Sequence, residues 1–223
     1  MKATKVPRIK ICCIASIEEA WMAIQAGASA LGLVSSMPSG PGVIAEEQIA
    51  EIASSISPPI ATFLLTSSQD AEAIIAQQRR CRTNTVQICD HLENGTHADL
   101  RRAMPGISIV QVIHVRSEES IHEAISISHQ VDAILLDSGN QSLAVKELGG
   151  TGRLHDWAIS RRIRQEVHVP IFLAGGLRTE NVAGAITQVG PFGLDICSGV
   201  RTEGRLDEHK LAQFFDEVRR NSC

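Results

Sequence analysis

Two short segments concentrate groups that can move protons. Cys12 follows Lys10 by two residues inside the apolar run Arg8–Ile14, and residues two apart on a strand point to the same face. If that face turns into a packed interior, the Lys10 ammonium needs a buried counter-charge. Asp195, in the last apolar run, is the candidate, because an eighth strand that closes against the first would bring the two together. An ammonium near a thiol favours the thiolate, which can act as base or nucleophile. The competing reading of Cys12 is a small buried hydrophobe. Asp137 ends the apolar run Ile134-Leu135-Leu136. It can be a general acid tuned by partial burial, or it can cap a helix or solvate a loop. Three glycine-bearing segments complete the set: Gly149-Gly150-Thr151-Gly152, Ala174-Gly175-Gly176 and Cys197-Ser198-Gly199. Glycine lets backbone N–H groups approach an anion closely, and together the three segments point to phosphate.

Eight apolar, β-branched runs position these residues: Arg8–Ile14, Ala30–Ser35, Pro59–Leu65, Thr85–Cys89, Ser108–Val115, Ala133–Ser138, Pro170–Ala174 and Gly193–Cys197. Helical spacing fills the intervals. Ile49, Ile52, Ala53 and Ile56 repeat at i, i+3, i+4 and i+7, as do Val182, Ala185, Ile186 and Val189, and Leu211, Phe214, Phe215 and Val218. Ser16 with Glu19 reads as a capping box, Asp156 and Asp207 as N-caps and Gly27 as a helix stop. The unit averages about 28 residues, close to the ~30 of a βα repeat. Such alternation implies a parallel sheet, and eight units close a barrel. An open doubly wound sheet would carry a G-x-G-x-x-G turn after its first strand, where this chain has Cys-Cys-Ile-Ala-Ser. The expectation is α/β, a single (β/α)8 TIM barrel, one domain over residues 1–223, with its site at the carboxyl ends of the strands.

Composition narrows the function. A net charge of −4, from 21 Lys+Arg against 25 Asp+Glu, offers no basic surface for nucleic acid. Aromatics are 3% and Tyr is absent, which removes stacking platforms for bases. No apolar run approaches the roughly 20 residues of a membrane span. Lys2, Lys5, Arg8 and Lys10 precede an apolar stretch, Ile11 to Ala15, too short for a signal peptide. The six cysteines include no C-x-x-C and therefore read as reduced thiols of a cytoplasmic protein. A thiol–imidazole metal site from Cys12, Cys13, Cys89, Cys197, His91 and His114 is the weaker alternative, since structural zinc draws on tight ligand pairs. The remaining histidines, including His97 and His155, read as surface residues. Arg79-Arg80 and Arg161-Arg162 read as solvated helix faces.

Taken in order, Lys10-Ile11-Cys12, Leu135-Leu136-Asp137-Ser138, Gly149-Gly150-Thr151-Gly152-Arg153 with Asp156-Trp157, Leu173-Ala174-Gly175-Gly176-Leu177 with Glu180-Asn181-Val182, and Asp195 with Ser198-Gly199-Val200 resemble the phosphoribosylanthranilate isomerase family over nearly the whole chain. The resemblance implies an aldose–ketose isomerase performing an Amadori rearrangement in tryptophan biosynthesis, with no metal and no organic cofactor. It implies Asp137 as general acid and Cys12 as general base. It implies Gly150, Thr151, Gly152, Gly175, Gly176, Ser198 and Gly199 as phosphate ligands, and Lys10, Gln87, Cys89 and Asp195 as pocket residues. Thr151 to Arg153 would belong to a mobile loop over the substrate. The implied partner is a small phosphosugar, with neither nucleic acid nor membrane, and the protein would be a monomer or a homodimer.

The chain departs from the family pattern at three places. Cys13 stands where the family usually has Gly. Gln87-Ile88-Cys89-Asp90 replaces Gln-Leu-His-Gly. Pro38-Ser39-Gly40-Pro41-Gly42 replaces Pro-Lys-Ser-Pro-Arg, which removes the Arg that grips the anthranilate carboxylate. Losing a bidentate Arg costs on the order of 1.5–3 kcal/mol of carboxylate binding. Either Arg116 or His91 takes over, or the chain is a divergent paralogue that isomerises, or merely binds, another sugar phosphate.

Overall fold

Runs of Ile, Val and Leu bounded by polar turns extend into strands that are buried on both faces, as a parallel sheet requires. The computed structural model describes residues 6–150 and 152–222; Lys2, Lys5, Thr151 and Cys223 lie outside them. Its strands are β1 Arg8–Ile11, β2 Ala30–Val34, β3 Ala61–Thr66, β4 Thr85–Ile88, β5 Ser108–His114, β6 Ala133–Asp137, β7 Ile171–Leu173 and β8 Gly193–Ile196. They alternate with α1 Ile17–Ala26, α2 Glu46–Ser55, α3 Ala71–Cys81, α4 His97–Ala103, α5 Glu119–Ser128, α6 Trp157–Glu166, α7 Val182–Val189 and α8 Glu208–Arg220. A short 3₁₀ helix, Ser198–Val200, and a small hairpin, β9 Arg201–Thr202 with β10 Arg205–Leu206, precede α8. The eight main strands pair in parallel and in sequence order into a closed barrel. Closure sets Lys10 directly opposite Asp195 on neighbouring strands.

Seven of the eight main strands end one or more residues before their apolar runs, whereas β3 runs one residue past Leu65, to Thr66. The run through Ile14 leaves the ladder at Ile11, because Cys13 takes φ 62°, a left-handed conformation that no extended strand accommodates. Cys12, Cys13, Cys89, Ala174 and Cys197, just beyond their strands, line the mouth of the barrel, whereas Ile14 and Val115 pack in the outer layer.

Period-two alternation sorts the side chains into two layers. Ile9 and Ile11 face outward with Leu31, Leu33, Leu64, Val86 and Ile88, beneath the helices. Cys12, Phe63, Leu65, Val110, Val112, Leu135 and Phe172 fill the interior. The helices cover the outer layer with the stripes read from their spacing, such as Ile49 and Ile52 on α2 and Leu211, Phe214, Phe215 and Val218 on α8.

The caps partly revise the expectation. Ser16 accepts from the Glu19 N–H at 3.2 Å, but the Glu19 carboxylate accepts from Ala15 N–H and from Arg201, so the capping box at α1 is half formed. A complete box occurs at Thr96 and Asp99 before α4. Asp156, Asp207 and Gly27 cap as expected. Two histidines expected at the surface are packed inside it. His97 is buried with Nε2 3.1 Å from Gln111 Oε1, and burial holds its pKa low. His155 is half-buried against Ser160 Oγ at 2.7 Å, and burial pushes its pKa down to about 4.

Candidate active site

One cavity opens at the carboxyl ends of the strands. Cys12 and Cys13 line it after β1, Met37, Ser39, Gly40 and Pro41 after β2, and Gln87 and Cys89 at β4. Asp137, Leu148, Gly149, Gly150 and Gly152 line it at and after β6, Gly175 and Gly176 after β7, and Asp195, Cys197 and Ser198 at and after β8. Thus the thiol from β1 and the carboxyl from β6 face a common space. Of the sequence-derived site residues, Lys10 and Gly199 do not reach that space, and Thr151 lies outside the described residues.

Lys10 serves the site from below. Its side chain is fully buried, its Nζ donates to Asp195 Oδ1 at 2.9 Å, and the ammonium sits 5.2 Å from the Phe63 ring centroid. Burial presses its pKa down, yet the opposing charges of Asp195 and Cys12 outweigh that and hold it above the ordinary lysine value. Gly32 on β2 makes room for the pair. A Cβ there would stand 2.9 Å from Cys12 Sγ and 3.0 Å from Lys10 Nζ, so thiol and ammonium share the space a side chain would fill.

Asp137 is buried at the end of β6, and burial raises its pKa against the Ser138 N–H, which donates to its Oδ1 at 2.7 Å. A carboxyl whose pKa is raised by burial in this way is suited to the role of a general acid. Two glycines clear the space around it: a Cβ on Gly149 would fall 2.9 Å from Oδ2, and one on Gly175 would fall 3.1 Å from Oδ1. Burial likewise pushes the Cys89 thiol up to about 12, so it lines the cavity as a neutral group. Gln87 Oε1 is buried and has no hydrogen-bond partner among the described residues, which leaves an acceptor for a hydroxyl.

Glycine turns form the other wall. Gly175 and Gly176 turn left-handed (φ 78° and 63°), and a Cβ on Gly176 would meet Arg153 and Gly152 backbone at 2.8 Å. A side chain at either position is strained and, at Gly176, collides with the neighbouring loop. Ser198 opens the 3₁₀ helix beside Gly152. A short extra helix after the eighth strand is where barrels commonly hold phosphate. Gly199 instead packs against Leu177 O, where a Cβ would fall 2.3 Å away, and lines an adjoining groove with Arg178, Asn181 and Lys210.

The β2–β4 side is neutral. Among the described residues lining the cavity, none is Lys or Arg. Both cations expected to replace the family's Arg are elsewhere. Arg116 is exposed and donates to Ser142 Oγ at 2.7 Å. His91 is 55% exposed beside Asp90 (2.9 Å) and Glu93 (3.3 Å), where acidic neighbours hold it outside the cavity. Nor are three or more His, Cys, Asp or Glu side chains arranged to hold a metal among the described residues. Gly32 was missed from the sequence, whereas Gly149 and Cys197 were read only as members of glycine-bearing segments, and Cys197 also as a weaker metal candidate. A glycine inside an apolar strand was the available signal for Gly32; the contacts of Gly149 with Asp137 and of Cys197 with Cys13 arise only in the folded loops and follow from no local spacing.

Fold and cavity together define a (β/α)8 barrel whose site is built from βα loops. Residues 9–217 match the family model described as N-(5'phosphoribosyl)anthranilate (PRA) isomerase. The chain is 36% identical over 214 residues to N-(5'-phosphoribosyl)anthranilate isomerase 2 of Methanosarcina mazei, covering 95% of this chain and 94% of that one. It is 32% identical to the N-(5'-phosphoribosyl)anthranilate isomerase of Nostoc punctiforme, covering 95% and 98%. The phosphoribosyl anthranilate isomerase structure from Thermotoga maritima superposes with TM-score 0.79 at 27% identity, covering 96% of this chain and 98% of that one. Another solved phosphoribosyl anthranilate isomerase, in complex with reduced 1-(o-carboxyphenylamino)-1-deoxyribulose 5-phosphate, gives 0.77 at 26%, covering 96% and 98%. The chain belongs to the phosphoribosylanthranilate isomerase family.

Proposed function

We propose that the chain catalyses the Amadori rearrangement of N-(5-phosphoribosyl)anthranilate to 1-(2-carboxyphenylamino)-1-deoxyribulose 5-phosphate in tryptophan biosynthesis, with Asp137 as general acid and Cys12 as general base. The amides of Gly150, Gly152, Gly175 and Gly176, with Ser198, hold the phosphate and so fix which way the pentose lies. Asp137 protonates the furanose ring oxygen, the ring opens to an iminium, and the carboxylate that results remains beside the developing cation. Cys12 then removes the C2′ proton. The enolamine formed tautomerises to the ketone, and no electron leaves the substrate. Lys10 supplies fixed positive charge beneath Cys12, and Gln87 Oε1 accepts from a sugar hydroxyl.

The observation that carries this reading is the shared cavity, with Cys12 entering from β1 and Asp137 from β6. Soluble protein should convert the anthranilate substrate in vitro and rescue a tryptophan auxotroph blocked at this step; failure of both would overturn the reading. The neutral β2–β4 wall favours a second reading, a paralogue acting on another phosphosugar amine through the same acid and base. It requires sugar-phosphate binding without turnover of the anthranilate compound. No helix among the described residues is long and apolar enough to cross a membrane. A cytoplasmic enzyme, monomeric or homodimeric, fits a soluble small-molecule substrate.

A further inference from the structure

Among the cavity thiols unused by the chemistry above, two lie side by side. Cys13 Sγ lies 2.9 Å from Cys197 Sγ, although 184 residues separate them in the chain. Barrel closure joins the loops after β1 and β8 that carry them, and both line the cavity. Arg201, with its side chain 7% exposed, braces the same corner. Its Nη2 donates to the carbonyls of Cys12 (3.2 Å) and Cys13 (2.6 Å), while its Nε has no hydrogen-bond partner among the described residues. The hydrogen bond with Cys13 and the Arg201 charge hold the Cys197 thiol below the ordinary range despite burial. Hydrogen bonds to Cys12 and Cys197, with burial, hold Cys13 far above it. With the two sulfurs 2.9 Å apart, these environments favour Cys197 as the attacking sulfur and Cys13 as the resolving thiol.

From this juxtaposition we propose that Cys13 and Cys197 form a redox-active pair that a peroxide converts to a disulfide, reversibly closing the active site. Cys197 sulfur attacks one peroxide oxygen; the O–O bond breaks, sulfur is oxidised to the sulfenic acid, and the departing hydroxide takes up the proton lost by Cys197 and leaves as water. Cys13 sulfur then attacks the sulfenic sulfur. The S–S bond forms, the S–O bond breaks, and the hydroxide released takes up the Cys13 proton as water. Overall two thiols and one peroxide give one disulfide and two waters. Cys12 does not compete for Cys13, because adjacent cysteines cannot readily bridge.

Bond formation brings the sulfurs together by roughly 0.9 Å, to the ~2.05 Å of a disulfide. Cys13 cannot move alone. Its Sγ contacts Pro41 O at 3.6 Å, and a Cβ on Gly42 would fall 2.4 Å from Cys13 Cβ, so the loop after β2 rests on it. Cys12 and Ser198 are the immediate chain neighbours of the pair. The effect on turnover thus rests on the functional reading above, whereas the disulfide does not. Displacement of a reacting group by about 1 Å lowers kcat/KM by up to ~100-fold.

The full chain should be treated with hydrogen peroxide, digested without reductant and mapped by mass spectrometry, with turnover followed in parallel. The expected result is a Cys13–Cys197 linked peptide and a kcat/KM about 10- to 100-fold lower, restored by dithiothreitol. Cys197→Ala and Cys13→Gly, the latter suited to the left-handed backbone, should form no such link and keep a larger fraction of their own untreated activity. Absence of the linked peptide, or equal losses in the wild type and both variants, would overturn the proposal. A linked peptide in a protein that never turns over the anthranilate substrate would support the pair and count against the functional reading alone.

Discussion

Along β6, β7, β8 and β1 the cavity is walled by buried charge and tight backbone, whereas along β2, β3 and β4 it is walled by neutral side chains. The first wall holds Asp137, Asp195 with Lys10 beneath it, and the glycine turns, where a Cβ on Gly149, Gly150 or Gly176 would meet another atom at 2.9, 2.6 or 2.8 Å and loss of Lys10 or Asp195 would strand its partner. The second offers Val34, Met37, Leu65 and the hydroxyl of Ser39, which already donates to Lys146 O at 2.7 Å. A wall made of interlocked charges tolerates little substitution, because desolvated groups depend on each other. A neutral wall can be rewritten with small losses. Under the proposed function, reaction chemistry belongs to the first wall and choice of aglycone to the second.

The sharpest way to break this contrast is to remove the acid or the base. Asp137→Asn and Cys12→Ala should each lower kcat by about 10²- to 10⁴-fold with unchanged circular dichroism. Losses under tenfold would move the chemistry elsewhere. Next in size, Lys10→Met leaves the buried Asp195 unpaired and should cost about 3–5 kcal/mol in urea unfolding, with much of it recovered by adding Asp195→Leu. Gly176→Ala should raise KM for the phosphosugar and cost about 1–3 kcal/mol from its left-handed backbone.

Acid titration gives a smaller effect of defined sign. Burial raises the Asp137 pKa, so the folded state holds that proton more tightly than the unfolded chain does. Its contribution to stability is fully present below the unfolded value of about 3.9 and is lost as pH rises through the folded value. Turnover that needs the acid declines over the same rise. The difference in unfolding free energy between wild type and Asp137→Asn, followed against pH, should shrink in that window; a flat difference would mean that Asp137 is already ionised. The smallest change sharpens the neutral wall. Ser39→Arg should lower KM for an anthranilate-bearing substrate a few-fold, as a partly exposed ion pair of about 0.2–1 kcal/mol allows. An unchanged KM would place the carboxylate elsewhere.

Much of the charged wall was legible from local spacing. Lys10 two residues before Cys12 fixes a shared face, and the order of eight apolar runs places Asp195 beside Lys10 once the barrel closes. Asp137 and the glycine turns follow from their positions just after apolar runs. The neutral wall was less legible, because the absence of a cation in one loop does not say what stands there. Arg116 and His91 were reasonable by position, yet Ser142 and the acidic neighbours of His91 hold them outside. The Cys13–Cys197 contact joins residues at opposite ends of the chain and follows from no periodicity. His97 was misread because an isolated histidine on a helix suggests solvent, whereas the amide of Gln111 on β5 satisfies it in the interior.

The central claim is that Cys12 and Asp137 address opposite faces of one bound pentose. A crystal structure of this protein with reduced 1-(2-carboxyphenylamino)-1-deoxyribulose 5-phosphate tests it most directly. The expected result has the phosphate on the amides of Gly150, Gly152, Gly175 and Gly176, Cys12 Sγ in contact with the C2′ side of the sugar, and the Asp137 carboxyl on the other side near the oxygen released from the ring. A ligand bound with its phosphate against the loop after β2, or with both groups on one face of the sugar, would contradict it.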